Sequence, residues 1–445
     1  MIRYIVMPVM LATVLASPVF CEESTRPHAG MLRYPDVSAE HIVFVYANDV
    51  WVVPREGGLA SPLASPPGQE LFPRFSPDGQ SIAFIGNYDG DRDVYTASIY
   101  GGAPVRVTHH PANEMMCDWT PQNKLLFFSN ALAGLSRQEQ LFLVDPQGGL
   151  PEKLPVPYGA NGSIDGSGEW LAYTPFTRDF RTWKRYRGGW ATDIWLFNLT
   201  DFSSEKITDW EGTDTYPMWY GDKVYYLSDA GPHHRLNIWS YNTTSKEREQ
   251  ITEFKDFDCK FPAAGPGENG EGEIVFQNGT NLFLLNLSSG EARSVVVMIP
   301  GARPKIRPQR IQVNDRIGDW SISSTGQRIV VEARGDIWTL PAKEGAVLNL
   351  TRSDDAAERD PQWSPDGKWI AYFSDASGEY ELYIQQSDGK DKAKQLTSGG
   401  KAFRMSPVWS PDSKHIAFID KTGAMYIHTI QSQKTRFVDK DPWAR

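Results

Sequence analysis

Pro73-Arg-Phe-Ser-Pro-Asp-Gly-Gln-Ser-Ile-Ala-Phe-Ile85 decides how this chain folds, because it occurs more than once. It returns as Pro361-Gln-Trp-Ser-Pro-Asp-Gly-Lys-Trp-Ile-Ala-Tyr-Phe373 and as Pro407-Val-Trp-Ser-Pro-Asp-Ser-Lys-His-Ile-Ala-Phe-Ile419. Each copy reads as a strand ending in an aromatic residue, a tight turn and a second strand. In Ser-Pro-Asp-Gly, Pro presets φ, Asp bonds nearby backbone and Gly accepts a positive φ. The Ile-Ala-Phe/Tyr run is β-prone and short, as a buried strand should be. Recurrence at long separation makes a repeat the unit of the fold.

A second signature gives the period. A polar, an aliphatic and an aromatic residue open a strand at Asp49-Val-Trp51, Asp93-Val-Tyr95, Asp193-Ile-Trp195, Asn237-Ile-Trp239, Asn281-Leu-Phe283, Asp336-Ile-Trp338 and Glu381-Leu-Tyr383. Weaker copies are Gln140-Leu-Phe142 and Ala424-Met-Tyr426. Twelve residues after most of these aromatics stands an aliphatic residue, often followed by Thr, as at Thr108, Thr208, Thr252 and Thr351. A constant offset between two strands keeps the same faces buried through successive hairpins. Four strands in about 40–45 residues is the period of a β-propeller blade. The expected fold is all-β: a six-bladed β-propeller followed by three blades of an incomplete second β-propeller of the seven-bladed type.

Two intervals are long. Phe176-Thr-Arg-Asp-Phe-Arg-Thr-Trp-Lys-Arg-Tyr-Arg-Gly-Gly-Trp190 is an insertion between the second and third strands of the fourth blade. Pro300-Gly-Ala-Arg-Pro-Lys-Ile-Arg-Pro-Gln-Arg310 has the composition of a linker. The expected organisation is a signal peptide at 1–21, the six-bladed ring at 31–299, a linker at 300–316 and three blades at 317–445. In that ring Cys117 and Cys259 occupy opposed blades, too far apart for a bridge whose Cα atoms must lie about 4.4–6.8 Å apart. Two free thiols are predicted.

Composition narrows the function. Lys+Arg 45 against Asp+Glu 55 gives a formal charge of −10, which disfavours a nucleic-acid partner. Arg3 and the apolar stretch from Ile5 to Leu15 resemble a cleavable export signal and are too short to span a bilayer. The expected location is periplasmic or extracellular, with no membrane span once the signal is removed.

No Gly-x-Ser-x-Gly elbow, His-Glu-x-x-His pair or P-loop occurs, so no catalytic residue is assigned. His109-His110 and His233-His234 lack further spaced ligands. Asp89-Gly-Asp-Arg-Asp93 alternates carboxylates but lacks the later Glu of a calcium loop. No metal or other cofactor is expected. The segment that blade geometry leaves unexplained is the insertion, where Arg178, Arg181, Lys184, Arg185 and Arg187 alternate with aromatics that include Trp183 and Tyr186. Basic and aromatic residues together suit a carboxylate, a peptide terminus or a neighbouring subunit. The alternative is a long hairpin whose aromatics cap the blade.

The opening Tyr34-Pro-Asp-Val-Ser-Ala-Glu-His-Ile-Val-Phe44 and Asp49-Val-Trp51, followed by Arg181-Thr-Trp-Lys-Arg-Tyr-Arg-Gly-Gly and Asp193-Ile-Trp195, resemble the N-terminal part of a tricorn protease over roughly residues 30 to 440. That family is a serine peptidase that trims oligopeptides and assembles as a large homo-oligomer, with a six-bladed and a seven-bladed propeller that channel products and substrates. The resemblance implies that this chain holds the first propeller and part of the second. It also implies that the catalytic Ser, His and Glu lie beyond Arg445 and that the chain alone is inert. Its partners would be peptides or a protein, another copy of the chain, or a separately encoded catalytic part. The alternative is a free-standing periplasmic TolB-like propeller that binds proteins without catalysis; the propeller of a prolyl-oligopeptidase-type enzyme is a third reading. On any of them the flank of the last blade, around Pro407 to Val438, is expected to be exposed. A chain ending near Arg310 should therefore behave better in solution.

Overall fold

The computed structural model describes Pro27 and residues 31–443, apart from residues 65, 136–137, 181–183, 302–303 and 308. The described chain is nearly all β, with two single-turn 3₁₀ segments. Among the described residues there are nine four-stranded antiparallel sheets, each a meander of consecutive strands. Sheet one runs from Leu32–Val37 through His41–Tyr46 and Asp49–Pro54 to Ser61–Ala64. The others begin with Glu70–Phe75, Glu114–Trp119, Ala160–Ile164, Asp214–Tyr220, Cys259–Gly265, Ile317–Ile322, Glu358–Trp363 and Arg404–Trp409.

The quoted repeat forms the first hairpin of its sheet. Glu70–Phe75 pairs with Ser81–Gly86, and the turn is built as its residues require. The Ser76 hydroxyl donates to the Asp78 carboxylate (2.6 Å), which also accepts the Gln80 N–H (3.0 Å). Gly79 takes φ 68°. The same Ser-to-Asp bond recurs at Ser364–Asp366 and Ser410–Asp412.

The Thr of the second signature is a clasp between outer strands. Thr108, Thr208, Thr252, Thr351 and Thr397 each accept, through Oγ1, the N–H of the aliphatic residue in the signature: Val94, Ile194, Ile238, Ile337 and Leu382. Buried acids link one sheet to the next: Thr108 donates to Glu114, and Glu70 accepts the Val50 N–H. Burial pushes both carboxyls up to about 7. They bridge sheets mainly as hydrogen-bonding groups, since charging them in an apolar seam is unfavourable.

Sheets one to six pack side by side through their first strands, and the first strand of sheet one packs against sheet six. Gly265 shows how close that last contact is. A Cβ there would stand 2.1 Å from the Val37 carbonyl oxygen. The chain leaving sheet six completes the closure, because Val297–Met298 pairs in parallel with Gly58–Leu59 of the first repeat. Between the sheets lie fully buried residues such as Ile42, Phe44, Phe84, Phe127, Val224 and Phe276, each contributing roughly 1.5–3 kcal/mol of apolar burial.

Residues 300–316 contain a short 3₁₀ turn at Pro304–Ile306 and an ion pair from Lys305 back to Asp49. Sheets seven, eight and nine pack in order. Apolar side chains stay exposed on both flanks of that group: Trp320, Ile317 and Ile322 on one, Val408 and Phe437 on the other. Cys117 and Cys259 are unbonded thiols, as ring position required.

Candidate functional site at the insertion and the ring centre

The first strand of each of the first six sheets breaks register. In five of them the residue at the break has a left-handed backbone: Tyr34 (φ 52°), Phe72 (49°), Asn161 (48°), Tyr216 (51°) and Phe261 (49°). For bulky residues this conformation costs on the order of 1–3 kcal/mol. Pro follows at Pro35, Pro73, Pro217 and Pro262. A bulge re-aims its side chain, and here four aromatic rings are turned toward one another. Tyr34 meets Phe72 at 4.2 Å and Phe261 at 4.6 Å between ring centroids, while Tyr216 lies 6.1 Å from Phe261. Phe72 and Phe261 belong to sheets separated by sheet one, yet their centroids are 6.0 Å apart. Tyr34, Phe72 and Phe261 are buried. The aromatic group therefore fills the middle of the ring.

Next to this group stand Asp36, Arg74 and Asp118, from three successive sheets. The Arg74 guanidinium donates to the carbonyls of Pro35, Pro73 and Cys117. Asp36 accepts the Phe75 N–H at 2.6 Å. Burial pushes Asp36 up to about 6 and Asp118 to about 7. Asp36 adds to the effect on Asp118, and Arg74 opposes it on both. Burial likewise pushes the neighbouring Cys117 thiol up to about 12.

The insertion crosses the same region, between Trp170–Thr174 and Trp195–Asn198. Asp179 pins it down, accepting from Asn161 Nδ2 (2.8 Å) and Thr215 Oγ1 (3.0 Å). The adjacent Phe180 ring lies 6.0 Å from Phe72 and 6.1 Å from Phe261. Arg178 turns away and stacks over Trp190 (4.2 Å) and Phe176 (5.1 Å). Arg187 reaches Asp229 at 3.3 Å and stacks 4.6 Å from the Trp210 ring. Tyr186 is half-buried beside Gly188. Arg181 and Trp183 lie outside the described residues.

Lys184 and Arg185 face the second group of sheets. Arg185 is buried, in a left-handed conformation (φ 59°), between two carboxylates. Its guanidinium is 2.9 Å from Asp258 and 2.6 Å from Glu379. Lys184 donates to the Gly378 carbonyl at 3.1 Å. Arg235 adds a third cation 3.7 Å from Glu379. Burial acts to raise Asp258, but Arg185 and Lys184 prevail and hold it down at about 2. Gly378 is needed for the close approach, because a Cβ there would stand 2.2 Å from the Asp256 carbonyl oxygen. The insertion thus joins sheet six to the loop before the third strand of sheet eight.

The described residues hold no group of three His, Cys, Asp or Glu side chains gathered as a metal site would require. Asp89 and Asp93 are both engaged by Arg106, at 3.2 and 2.8 Å. His109 and His110 are exposed, and His234 is half-buried over Trp210.

Residues 29–291 match the family described as the tricorn protease N-terminal beta propeller domain, which is more than half of the chain. The chain belongs to the tricorn protease family. Residues 320–435 match a second description, the N-terminal region of dipeptidyl peptidase IV. Among curated tricorn relatives, tricorn protease homolog 1 of Streptomyces coelicolor is 27% identical over 82% of this chain and 34% of its own length. The tricorn protease homolog of Saccharolobus solfataricus is 24% identical over 81% of this chain and 32% of its own length. A tricorn-like protease N-terminal subunit of Sulfurisphaera tokodaii is 24% identical over 36% of this chain and 83% of its own. The crystal structure of the tricorn protease superimposes with a TM-score of 0.55 at 18% identity, covering 94% of this chain and 40% of that one. This tricorn-family chain therefore spans about a third of the length of the first two relatives.

Reasoning from the sequence singled out the cations of the insertion but missed the acids that receive them, Asp258 and Glu379, and the anchor Asp179. It also missed the aromatic centre. The signal was present: the residue just before each repeat Pro is aromatic at Tyr34, Phe72, Tyr216 and Phe261.

Proposed function

We propose that this chain is the N-terminal propeller portion of an exported tricorn-like serine peptidase that degrades oligopeptides. It acts there as scaffold and as part of the passage for substrate or product. The catalytic groups belong to another part of the enzyme, either a continuation of the same chain or a separate subunit. The observation that carries this reading is the match of residues 29–291 to the tricorn N-terminal propeller, and the partial coverage of its relatives supports the division of labour. The exposed apolar flanks of sheets seven and nine are consistent with further protein packing there. Among the described residues no helix is long and apolar enough to cross a membrane. The Lys184–Arg185 pair serves within this reading as the tie between the two groups of sheets, with Arg178 and Arg187, half-buried and stacked on aromatic rings, as the contacts offered to a peptide or partner.

The test is to express this chain together with the coding sequence that adjoins it, and to assay hydrolysis of a mixed oligopeptide set. Hydrolysis by the combination, absent from the chain alone and lost on deleting residues 31–299, is the expected result. Hydrolysis by this chain alone, or full activity after the deletion, overturns it. No activity in any form would favour a free-standing binding propeller.

A further inference from the structure

We propose that the ring of the first six sheets carries, at the end away from the insertion, a binding site for an arginine side chain of a partner protein. Asp36 and Asp118 supply its charge, and Trp119, Trp219 and Tyr220 supply its aromatic wall. The inference concerns binding at that end alone and does not depend on the peptidase reading.

The position follows from strand direction. The insertion leaves its sheet after Thr174, which pairs with Ala160 at the start of the first strand. The other ends of the first strands, from Asp36 in sheet one to Gly265 in sheet six, surround a cavity of about 400 Å³. All six sheets contribute to its lining, and its size falls within the roughly 300–1,000 Å³ of ligand sites.

The two ends of the ring differ in charge. The cavity on the insertion side is lined by Arg33, Arg92 and Lys305 against one acid, Glu139. The lining at the other end holds Asp36, Glu40, Asp78 and Asp118, together with His41 and no Lys or Arg. A cleft with one sign of charge and low-dielectric walls concentrates its field on a ligand of the opposite sign.

The two acids at the strand ends still have acceptors to offer. Asp36 is 4% exposed, and its Oδ2 accepts the Phe75 N–H at 2.6 Å. Asp118 Oδ1 accepts the Trp119 N–H at 2.8 Å. Arg74 is the cation that acts on both, but the bonds it makes run to the carbonyls of Pro35, Pro73 and Cys117. Asp36 Oδ1 and Asp118 Oδ2 are left to accept from a donor in the cavity. The aromatic residues, by contrast, have their polar edges engaged. Trp119 Nε1 donates to the Arg74 carbonyl (3.0 Å), Trp219 Nε1 to the Gly221 carbonyl (3.2 Å) and the Tyr220 hydroxyl to the Gly270 carbonyl (3.0 Å). What they add to the lining is ring carbon, which attracts a cation and strengthens its bonds by excluding water.

A guanidinium suits this arrangement better than an ammonium, because its planar fork reaches two acceptors and stacks on a ring. It would also offset the cost of holding two acids near each other in a buried place, which now pushes both carboxyls up.

The probe is a pentapeptide, capped at both ends, with a central arginine between glycines; the same peptide with citrulline is its neutral isostere. Each is titrated into the full chain at pH 8, where both acids are charged, and binding is followed by saturation-transfer NMR. The arginine peptide should bind at least about tenfold more tightly than the citrulline peptide. Asp118→Asn, which keeps the shape of the side chain, should weaken arginine binding about tenfold. Asp145→Asn removes the same charge from an exposed turn outside the cavity and should leave binding within about twofold. Trp219→Leu, at a half-buried wall, should weaken it several-fold and provides the test if Asp118→Asn fails to fold. Equal binding of the two peptides, or no binding of either, overturns the site. So does unchanged binding in folded Asp118→Asn or in Trp219→Leu, or a loss in Asp145→Asn as large as that in Asp118→Asn. No peptide bond is cleaved in the readout, so failure here is distinct from failure of the peptidase reading.

Discussion

At the same bulge of the same strand, the first six sheets and the last three carry different residues. The first group has Tyr34, Phe72, Asn161, Tyr216 and Phe261 there, with Met116 in the corresponding place of sheet three, and the second group has Gly318, Asp360 and Ser406. The backbone device is shared, since Asp360 (φ 54°) and Ser406 (φ 57°) have the same left-handed conformation and are likewise followed by Pro. What differs is the side chain it aims. In the closed ring it aims aromatic rings that fill the centre. In sheets seven to nine it aims small or polar groups, and the apolar residues near it, such as Trp320 and Val408, remain exposed. One repeat geometry thus makes either a sealed centre or an open face, according to a single position.

The largest effect that would sharpen this contrast is expected at the junction between the two groups. Arg185→Ala removes the cation shared by two buried carboxylates and should destabilise the chain by roughly 3–5 kcal/mol in urea unfolding. Arg185→Lys should recover only part of that, because an ammonium cannot serve both acids with a planar fork. A loss below about 1 kcal/mol would show that the groups do not depend on this tie.

Within the bulges, Phe261→Ala should cost about 3 kcal/mol and Ser406→Ala less than about 0.5 kcal/mol. Equal losses at the two positions would break the comparison, because they would mean that the aromatic centre adds nothing beyond the strand.

The ring centre should also respond to pH. Asp36 and Asp118 keep their protons up to about 6 and 7, above the usual carboxylate range. The folded state then binds more protons than the unfolded one, and the stability they contribute in acid is lost as pH rises from about 4 through 7. Asp258, held down at about 2, has the opposite sign: its contribution is present above the usual carboxylate value and is lost as pH falls toward 2. Asp118→Asn should flatten the fall between pH 5 and 8 and raise stability at pH 8 by about 1 kcal/mol. Thermal unfolding across that range checks it, and an unchanged slope would remove Asp118 from the account.

The smallest effect on stability is expected at the exposed flanks. Trp320→Ser with Phe437→Ser should change unfolding free energy by less than about 0.5 kcal/mol while reducing self-association in sedimentation. A chain ending near Arg310 should also lose the exposed flanks, but it gives up Glu379 and leaves Arg185 with Asp258 alone.

The repeat, its strands and turns, and the place of the insertion were legible in the chain because they are local. Ser76, Asp78 and Gly79 satisfy one another within four residues, and Val94 and Thr108 meet at a hairpin offset visible as spacing. Even the separation of Cys117 from Cys259 followed from counting repeats. The junction was half legible: the run containing Lys184 and Arg185 announced a binding segment, but its acids lie 73 and 194 residues from Arg185. Nothing in their local sequence marks Asp258 or Glu379. The sealed centre was written beside the opening repeat, in the residue before each Pro, and yet could not be read there. Whether Tyr34, Phe72, Tyr216 and Phe261 face solvent or one another depends on closure of the ring, which brings strands from four sheets to one place. The sequence by itself determined the strand, the turn and the bulge, through bonds between near neighbours. The meeting of those bulges, and of Arg185 with its two acids, belongs to the tertiary structure, where long-range packing sets which side chains share a space.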